Sequence, residues 1–380
     1  LILIDHVLVK KLTKKLKIGF DAKRLFNNNT GLGNYSRTLV RNLVENYPEH
    51  EYHLFTPKIG KHSFNDYFLS DRFVVHTPSA FQNGNLWRSI KIPDIVKKFK
   101  LDIYHGLSHE LPLIKLPSNC HSVCTFHDLI FELFPEQFSI IDNLFFRLKY
   151  RRSARNADLI IAISESTKAD MLELYHLNSD KVKVVYQSYN QYFNTSDVRP
   201  FEDRKYFLFV GSLIQRKGVH LIIDAYLHHG DSLPAIKIIG GGKGTYAKDL
   251  KEKVEKNNLS HKIQFIGSVS NEQLKNYYQN AIATLLPAIY EGFGIPIVES
   301  LATGTPVVIS SYSSLPEAAG PGAEIMRDYT SNALYDAMMQ MLNPGNWQDK
   351  SSRGHSYVTT QFDGNHLSNQ LMHIYRDLLK

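Results

Sequence analysis

The stretch AIATLLPAIYEGFGIPIVESLATGTPVVIS, residues 281–310, decides the fold of this chain. It begins and ends with short, mostly apolar runs of strand length, and a helical segment lies between them. Pro296 suits the first turn of that helix, and Gly304 suits the position just after its last turn. Strand, helix and strand in this order predict a βαβ unit with two parallel strands.

The same alternation extends over almost the whole chain. Before residue 200 the predicted strands are KIGFD, YHLF, DIYHG, SVCTF, DLIIAIS and VKVVY. After the polar stretch NTSDVRPFEDRK they are YFLFVGS, AIKIIGG, KIQFIG, AIATLLP and TPVVIS. Two such series predict an α/β protein with two Rossmann-like, doubly wound domains, and sheets of this kind bind ligands at the carboxyl ends of their strands.

Length and composition agree with this architecture. The chain has 380 residues, of which 43% are apolar and 21% charged, as is typical of a soluble two-domain enzyme. No stretch approaches the roughly 20 apolar residues that span a bilayer, and LILIDHVLVKKLTKK lacks the charge order of a signal peptide. We therefore expect a cytoplasmic protein.

Cys120 and Cys124 are expected to be buried, reduced thiols, because a second pair of metal ligands is missing.

Positive charge is concentrated in the N-terminal half. Residues 1–198 hold 26 Lys and Arg against 20 Asp and Glu, whereas residues 199–380 hold 18 against 17. Within the first half, SIIDNLFFRLKYRRSAR (139–155) combines a run of cations with an apolar helical face. That face comprises Ile140, Ile141, Leu144, Phe145 and Leu148. The segment favours peripheral contact with an anionic membrane, and the alternative is an ordinary helix packed on the N-terminal sheet. No nucleic acid partner is expected.

Glycines follow several predicted strands. Gly31 and Gly33 come after KIGFD and before a helix, where backbone N–H groups can approach an anion. Ser36 stands in place of the third glycine of a dinucleotide fingerprint, so an ordinary loop is an equally good interpretation. Gly211 and Gly241 follow YFLFV and AIKIIG at one edge of the second sheet.

Arg216 and Lys217 also follow YFLFV and precede a helix. Arginine offers a planar fork for two phosphate oxygens and lysine a mobile point charge, so the pair fits a diphosphate leaving group. Two solvent-exposed cations are the alternative, which is disfavoured because the N-terminus of the helix is itself positive.

The turn in the opening stretch combines carboxylates with glycine. Glu291 precedes Gly292-Phe293-Gly294, and Glu299 lies one turn into the following helix. The glycines free backbone amides for phosphate or sugar oxygens, and carboxylates accept hydrogen bonds from hydroxyl pairs. Alone, Glu291 fits a surface charge of a loop and Glu299 a favourable placement in the first turn of a helix, but both together with the turn predict a sugar or ribose site.

His127 and Asp128 follow the predicted strand SVCTF. A histidine there is often structural, but in a ligand cleft it donates a proton to an incoming hydroxyl or accepts one from it. These residues alone leave both roles open.

The segments resemble the retaining glycosyltransferases of family four, which have the two-domain GT-B fold. The likeness lies in the E-x7-E pattern of YEGFGIPIVES and in GLGNYSRTLVRNL, YHGLSHELP, TFHDL, ADLIIAISESTKAD, FLFVGSLIQRKG and SSLPEAAG. Within the family, the chain resembles the mannosyltransferases of bacterial surface-polysaccharide assembly. The resemblance implies Rossmann-like domains over 1–198 and 199–364 that face each other across a cleft, with the last helix, 365–380, packed on the first domain.

The resemblance also implies a role for each candidate residue. Glu291 would contact the donor sugar, Glu299 the ribose hydroxyls, and the paired cations the diphosphate. The donor-binding set would be Gly31, Gly33, Gly211, Ser212, Arg216, Lys217, Gly241, Glu291, Gly292, Phe293, Gly294, Ile295 and Glu299. The catalytic groups would be His127, Glu291, Arg216 and Lys217, and the acceptor side would include Asp128 and Asn34.

The implied reaction moves a hexosyl group, mannosyl from GDP-mannose, to a glycan or polyprenyl-linked saccharide with retention of configuration, in capsule or O-antigen synthesis. A UDP-hexose donor stays open, since only the branch resemblance favours GDP-mannose. The fold generally needs no metal or other cofactor, and the chain contains no Asp-x-Asp sequence. We therefore expect a metal-independent enzyme.

Three other functions fit parts of the sequence. A dehydrogenase-like nucleotide enzyme fits the alternation but lacks the complete glycine fingerprint. A phosphorylase of the same fold would bind pyridoxal phosphate through a lysine. A non-catalytic sugar or polyphosphate binder is disfavoured by the intact set of cations and carboxylates.

Overall fold

The computed structural model describes residues 14–80, 82–242 and 244–380. The opening apolar run and the first cations of KKLTKKLK lie outside these residues, so the expectations attached to them stay predictions. Within the described residues, no helix is both long enough and apolar enough to cross a membrane.

The described chain forms two sheets whose strands alternate with helices. The strands are β1 (Lys17–Asp21), β2 (Glu51–Phe55), β3 (Phe73–His76), β4 (Ile103–Gly106), β5 (His121–Phe126), β6 (Leu159–Ala162), β7 (Val182–Val184), β8 (Tyr206–Val210), β9 (Ile236–Ile239), β10 (Ile263–Gly267), β11 (Ala281–Leu286), β12 (Val307–Ile309) and β13 (Ala323–Ile325). The α-helices are α1 (Lys23–Asn27), α2 (Gly31–Asn46), α3 (Gly84–Ile90), α4 (Ile92–Phe99), α5 (Ile130–Leu133), α6 (Ile140–Asn156), α7 (Glu165–Tyr175), α8 (Val219–His229), α9 (Thr245–Lys256), α10 (Asn271–Gln279), α11 (Ile295–Ala302), α12 (Leu315–Ala319), α13 (Ser331–Gln340), α14 (Pro344–Gln361) and α15 (Gly364–Leu378).

Both sheets have the strand order of a Rossmann-like fold. The orders are β3-β2-β1-β4-β5-β6-β7 and β10-β9-β8-β11-β12-β13, and the neighbouring strands pair in parallel. Each order reverses once, between β1 and β4 and between β8 and β11, and ligand sites of such sheets lie at the carboxyl ends of the strands where the order reverses. The predicted α/β class with two Rossmann-like sheets is confirmed.

Burial and chain breaks explain most differences from the predicted elements. Every residue of β4, β6 and β11 is buried, as expected for parallel strands covered by helices. The short edge strands β3 and β13 were not predicted: β3 carries the apolar run FVV (73–75) but has only four residues, and Glu324 separates the two apolar residues of β13. The segment LWRSIKIPDIVKKF (86–99) is divided between two helices, α3 and α4, because Pro93 has no N–H with which to continue α3. Cys120 and Cys124 are buried and free of a disulfide.

The chain divides into two compact units. The first comprises the described residues up to Ile163 together with Lys168–Val185 and Leu367–Lys380, and the second comprises Ser164–Thr167 and Tyr186–His366. The change of unit at Val185 comes before the predicted boundary at residues 198 and 199. Most of α15 groups with the first unit, where the Tyr375 hydroxyl lies 2.6 Å from His105 Nδ1.

Candidate active site

The loops after β8 and β11 carry the candidate site of the second unit. They leave the sheet where the strand order reverses, so their polar residues lie at one edge. The first loop contributes Arg216 and Lys217, and the second contributes Glu291 and the glycine turn, residues 292–294. The Ile289 N–H donates to the Arg216 carbonyl at 2.9 Å, which joins the two loops.

Glu291 pairs with both of the predicted phosphate-binding cations. Its Oε1 lies 2.7 Å from Lys217 Nζ and 3.3 Å from Arg216 Nη1. Burial raises the pKa of Glu291, but the charges of Lys217 and Arg216 outweigh burial and hold the pKa below its usual value. Two positive charges stand against one negative charge, so the cluster attracts an anion.

The Arg216 guanidinium is buried and only partly partnered. Its Nη1 donates to the Tyr290 carbonyl oxygen. Its Nε is buried and has no hydrogen-bond partner among the described residues. A buried donor without an acceptor is costly, so this N–H is suited to bind an oxygen of a ligand.

The turn before α11 is fixed through its carbonyl oxygens. Three successive carbonyls, those of residues 290–292, each accept a hydrogen bond from a side chain. Arg216 donates to the Tyr290 carbonyl. Ser313 Oγ (2.6 Å) and Ser314 Oγ (2.8 Å) both donate to the Glu291 carbonyl. Ser164 Oγ donates to the Gly292 carbonyl at 2.7 Å. Sequence reasoning missed the three serines, whose only local signal is their polarity.

The same turn leaves its amide groups without protein acceptors. Among the described residues, no side chain or carbonyl accepts from the N–H of Gly292, Phe293 or Gly294. Gly294 has a φ of 102°, which favours glycine, and it immediately precedes α11. The unpartnered amides therefore lie beside the positive N-terminus of that helix, where phosphate or sugar oxygens bind well.

The Phe293 side chain is structural, in contrast to its amide. It is 2% exposed and packs against Tyr186 and Phe362, with ring centroids 5.7 and 5.1 Å away. The ligand contact predicted for Phe293 runs through its backbone, and the buried ring fixes the turn in place.

Glu299 lies in α11, which begins at Ile295. The Tyr278 hydroxyl donates to Glu299 Oε2 at 3.1 Å, and Tyr278 is fully buried. Burial raises the pKa of Glu299 to about 7, against the opposing effect of this hydrogen bond. Glu299 therefore changes charge near neutral pH, and its ability to accept from a hydroxyl pair changes with it. No sequence pattern indicated Tyr278.

The other donor-side residues of the second unit lie at the same edge. Gly211 and Ser212 directly follow β8, and Gly241 comes just after β9. The Leu213 N–H donates to the Gly241 carbonyl at 3.0 Å, which joins these loops. Ser212 and Gly241 are exposed, so both are accessible to a ligand.

His127 follows β5 in the first unit and is buried. Its Nε2–H donates to the Leu107 carbonyl oxygen at 2.9 Å. Its backbone N–H donates to His109 Nε2 at 3.0 Å, and its ring packs edge-on against Tyr35. Burial lowers the pKa of His127 to about 3, so the imidazole is neutral and a weak base at pH 7. We expect it to act by hydrogen bonding, and its place beside the sugar stays a prediction.

Gly33 has a local role that the sequence did not predict. Both Gly31 and Gly33 lie inside the first turn of α2 rather than before it. A Cβ on Gly33 would lie 1.8 Å from the Asn28 carbonyl oxygen, and its N–H donates to Asn28 Oδ1 and the Thr30 carbonyl. An anion that binds this N–H must displace those bonds, whereas Gly31 is exposed and a Cβ there would contact nothing.

The two predicted acceptor-side residues also lie in the first unit. Asp128 Oδ1 accepts from the Ile130 N–H at 3.1 Å, at the start of α5. Asn34 is exposed on α2, and its Oδ1 accepts from Arg37 at 2.5 Å. Both side chains have structural partners, and their roles towards an acceptor stay predictions.

A buried ion network at the carboxyl edge of the first sheet was missed by the sequence patterns. Arg88 pairs with Asp21, the last residue of β1, at 2.6 Å and with Glu110, after β4. Lys149 pairs with Glu110 at 2.8 Å. Burial raises the pKa of Glu110, but Arg88 and Lys149 outweigh it and hold the pKa at about 2. These residues come from separate segments, so no local spacing indicates the network.

Two family models match the chain, one in each half. The model for Glycosyltransferase Family 4 matches residues 29–190, and the model for Glycosyl transferases group 1 matches residues 192–353. The chain is a family-four glycosyltransferase. The resemblance found in the sequence is confirmed, and this glycosyltransferase is an enzyme with the Rossmann-like units of the GT-B fold.

Named relatives and solved structures resemble this glycosyltransferase over most of its length. It is 30% identical to the O-antigen chain mannosyltransferase RfbU of Salmonella typhimurium, strain LT2, over 65% of this chain and 66% of the relative. It is 24% identical to the O-antigen chain mannosyltransferase B of Escherichia coli, over 91% and 96%. The crystal structure of Anabaena HepE in complex with UDP and glucose shares the fold, with a TM-score of 0.70 at 18% identity over 95% and 99% of the chains.

The structure thus brings several predicted donor residues of this glycosyltransferase together, at the edge between β8 and β11. Their individual roles stay predictions, as do those of His127 and Gly33 in the first unit. Among the described residues, no three His, Cys, Asp or Glu side chains are grouped so as to hold a metal ion. The expectation of metal independence stays a prediction.

Proposed function

We propose that this glycosyltransferase transfers a mannosyl group from GDP-mannose to a glycan or polyprenyl-linked saccharide, in the synthesis of an O-antigen or capsule. One observation carries the proposal: two cations, a carboxylate and three unpartnered amides meet at a single edge of the second sheet. The names of two relatives, both O-antigen chain mannosyltransferases, support mannosyl as the group transferred.

The donor diphosphate would accept hydrogen bonds from Lys217 Nζ, Arg216 Nε and the amides of the glycine turn. Glu291 pairs with both cations. A bound diphosphate would pair with the same cations and weaken their interaction with Glu291, whose carboxylate would then accept hydrogen bonds from sugar hydroxyls. Glu299 would accept from the ribose hydroxyls. The same cations would stabilise the charge that develops on the departing diphosphate, which lowers the barrier.

Transfer is proposed to retain the anomeric configuration. The acceptor hydroxyl would attack the anomeric carbon on the face that the diphosphate leaves. The bond from that carbon to the phosphate oxygen breaks, the bond to the acceptor oxygen forms, and the acceptor proton passes to a phosphate oxygen. This route requires no protein base, in keeping with the low pKa of His127.

The reaction is proposed to need no metal or other cofactor. Arg216 and Lys217 would supply the positive charge that a metal ion brings to a diphosphate in other enzymes. Turnover should therefore survive exhaustive treatment with EDTA. A loss of turnover that Mg²⁺ or Mn²⁺ restores would overturn this part of the proposal.

The acceptor is proposed to bind to the first unit, at the carboxyl edge of its sheet. A cavity of about 470 Å³ opens there, and Lys23, Asn27 and Lys58 are among its lining residues. Ammonium and amide groups suit the hydroxyls and phosphates of a lipid-linked saccharide. Because such an acceptor is anchored in a membrane, we propose a cytoplasmic enzyme at the inner face of the plasma membrane.

A UDP-hexose donor is the second candidate, favoured by the UDP and glucose in the complex of Anabaena HepE. Melting temperatures with GDP, GDP-mannose, UDP and several UDP-hexoses separate the two. A rise with GDP and a larger rise with GDP-mannose support the mannosyl proposal, and a rise with uridine nucleotides alone overturns it. NMR of the isolated product then gives the anomeric configuration, and an inverted linkage would contradict retention.

A further inference from the structure

The first unit carries an apolar and basic surface that its own fold does not use. We propose that this surface docks on a bilayer containing anionic phospholipid and so holds the enzyme beside a membrane-anchored acceptor. The docking surface is formed by α3, residues 113–115 and α6. The acceptor's place in the membrane rests on the proposed function, but lipid binding is measurable without turnover.

Helix α6 has one face that packs on the protein and an opposite, apolar face that does not. The packed face carries Asn143, Tyr150, Ser153 and Ala154, which are buried, and Tyr150 and Ala154 belong to the core around β5 and β6. On the opposite side, five large apolar side chains are 58–88% exposed. They are Ile140, Ile141, Leu144, Phe145 and Leu148. The helix therefore packs on the first unit, as the alternative interpretation expects, but through the opposite face, and the apolar face stays exposed.

Two neighbouring segments extend this face. They add four exposed apolar side chains, those of Leu86, Ile90, Leu113 and Ile114. The segments are joined by hydrogen bonds, because the Leu113 N–H donates to the Ser89 carbonyl at 2.8 Å and Arg152 donates to the Leu113 carbonyl at 2.6 Å. Nine of the sixteen large apolar side chains exposed among the described residues belong to these three hydrogen-bonded segments. Such a concentration is typical of an interaction site.

Cations continue the apolar stripe of α6. Arg152 and Arg155 follow Leu148 by one and two helical turns, and both are exposed. Residues 147–155 contain five cations and no acid. Two acids pair with three of these cations: Glu132 pairs with Arg147 and Arg151, and Glu110 pairs with Lys149. Five cations against two acids leave a positive excess.

An anionic bilayer fits the apolar and the basic features together. Apolar side chains enter the acyl boundary while the cations stay at the lipid phosphates. A second copy of this chain would bring like charges together, which opposes association. Free phosphate would neutralise the cations but would leave the nine apolar side chains in water.

Sedimentation with vesicles tests the proposal on the full chain. The vesicles consist of phosphatidylcholine alone or of phosphatidylcholine mixed with phosphatidylglycerol. The apolar variant is Leu144→Ser/Phe145→Ser/Leu148→Ser, and its matched control is Ile59→Ser/Leu69→Ser/Val74→Ser, three exposed apolar residues of the same unit outside the docking surface.

A charge variant tests the basic part separately. Arg152→Gln/Arg155→Gln removes two cations of α6, and Lys248→Gln/Lys256→Gln removes two exposed cations of α9 as the control. The melting temperature of each variant establishes whether it folds. If the apolar variant does not fold, the charge variant still tests the proposal. Binding of a nucleoside diphosphate in solution is measured in parallel.

We expect the wild type and both controls to pellet with the anionic vesicles and only weakly with phosphatidylcholine. Both surface variants should bind at least about tenfold more weakly. Equal binding by wild type and folded surface variants overturns this surface, and failure of the wild type to bind overturns docking. Docking is also overturned if the wild type forms a dimer without binding vesicles, and if only the apolar variant fails to form that dimer. Loss of nucleotide binding would instead count against the proposed function.

Discussion

Gly33 in the first unit and Gly294 in the second both stand at the start of a helix that follows a strand of a parallel sheet. At Gly33 a Cβ would lie 1.8 Å from the Asn28 carbonyl, and the N–H donates to Asn28 and Thr30. At Gly294 the φ of 102° favours glycine, and its N–H has no acceptor among the described residues. Similar sequence patterns thus serve close packing in one unit and leave amides for a ligand in the other.

The difference arises from which backbone group the neighbouring side chains bind. In the second unit, Ser164, Ser313 and Ser314 donate to carbonyl oxygens of the turn and leave its amides unpartnered. In the first unit, the Asn28 side chain accepts from the amide itself. A glycine at a helix start therefore indicates an anion site only where its N–H has no internal acceptor.

The largest effect should come from the cations beside the turn of the second unit. Arg216→Ala and Lys217→Ala should each lower kcat/KM roughly 100- to 1000-fold, because each removes a preorganised charge that stabilises the departing diphosphate. Release of nucleoside diphosphate from the donor measures this. Lys248→Ala, an exposed cation of the same unit, should leave the rate unchanged. Near-normal rates in both site variants would contradict the assigned role.

Gly31 and Gly33, both in α2, give the sharpest test of close packing. Gly33→Ala should destabilise the protein by about 2 kcal/mol or more, because its Cβ collides with the backbone oxygen of Asn28. Gly31→Ala should be neutral or stabilise by up to about 1 kcal/mol, since the position is open and helical. Urea unfolding of the two variants measures the difference. Equal stabilities would refute the packing role of Gly33.

The carbonyl anchors of the turn should have a smaller effect, on catalysis more than on stability. Ser164→Ala removes the 2.7 Å hydrogen bond to the Gly292 carbonyl, worth about 1 kcal/mol, so kcat/KM should fall by up to about tenfold. It also removes the hydrogen bonds between Ser164 Oγ and Thr167 at the start of α7, so a loss of stability is expected as well. Ser351→Ala is the matched control, because its Oγ donates to the Gly304 carbonyl at 2.6 Å, away from the turn. Both variants should lose stability, but only Ser164→Ala should lose kcat/KM. Equal kinetics in the two variants would remove the anchoring role.

The smallest effect concerns the pH dependence of donor binding. The pKa of Glu299 is about 7, and its ionised form accepts from ribose hydroxyls, so donor affinity should rise as pH rises from 6 to 8. Tyr278→Phe removes a hydrogen bond that lowers this pKa, so the rise should move to higher pH. Glu299→Gln should abolish it. Calorimetric titration with nucleoside diphosphate across this range gives the profiles, and identical profiles in all three proteins would exclude Glu299 as the titrating group.

Much of the fold could be predicted because its signals are local. KIGFD forms β1, and the predicted βαβ unit of residues 281–310 forms β11, α11 and β12, since apolar spacing, Pro and Gly act within a few residues. Edge strands β3 and β13 were missed because they are only four and three residues long, and because Glu324 separates the apolar residues of β13. The cluster of Arg216, Lys217 and Glu291 was predictable in outline, because parallel strands end at the same edge.

The remaining parts of the site could not be predicted, because their partners are distant in sequence. Ser164 contacts Gly292 across 128 positions, and Tyr278 contacts Glu299 from a different helix. The network of Asp21, Arg88 and Glu110 likewise joins three segments. Spacing along the chain carries no information about such pairs.

By itself, the sequence determined the two Rossmann-like sheets, the family and the principal charged residues of the candidate site, because these depend on short-range periodicity and on residue chemistry. Only the tertiary structure decided that the Gly33 N–H has acceptors within the protein and that the N–H groups of the glycine turn have none among the described residues. It also decided that one face of α6 stays exposed. The physical reason is that hydrogen-bond partners and burial depend on distances in space, which are set by how separate segments pack.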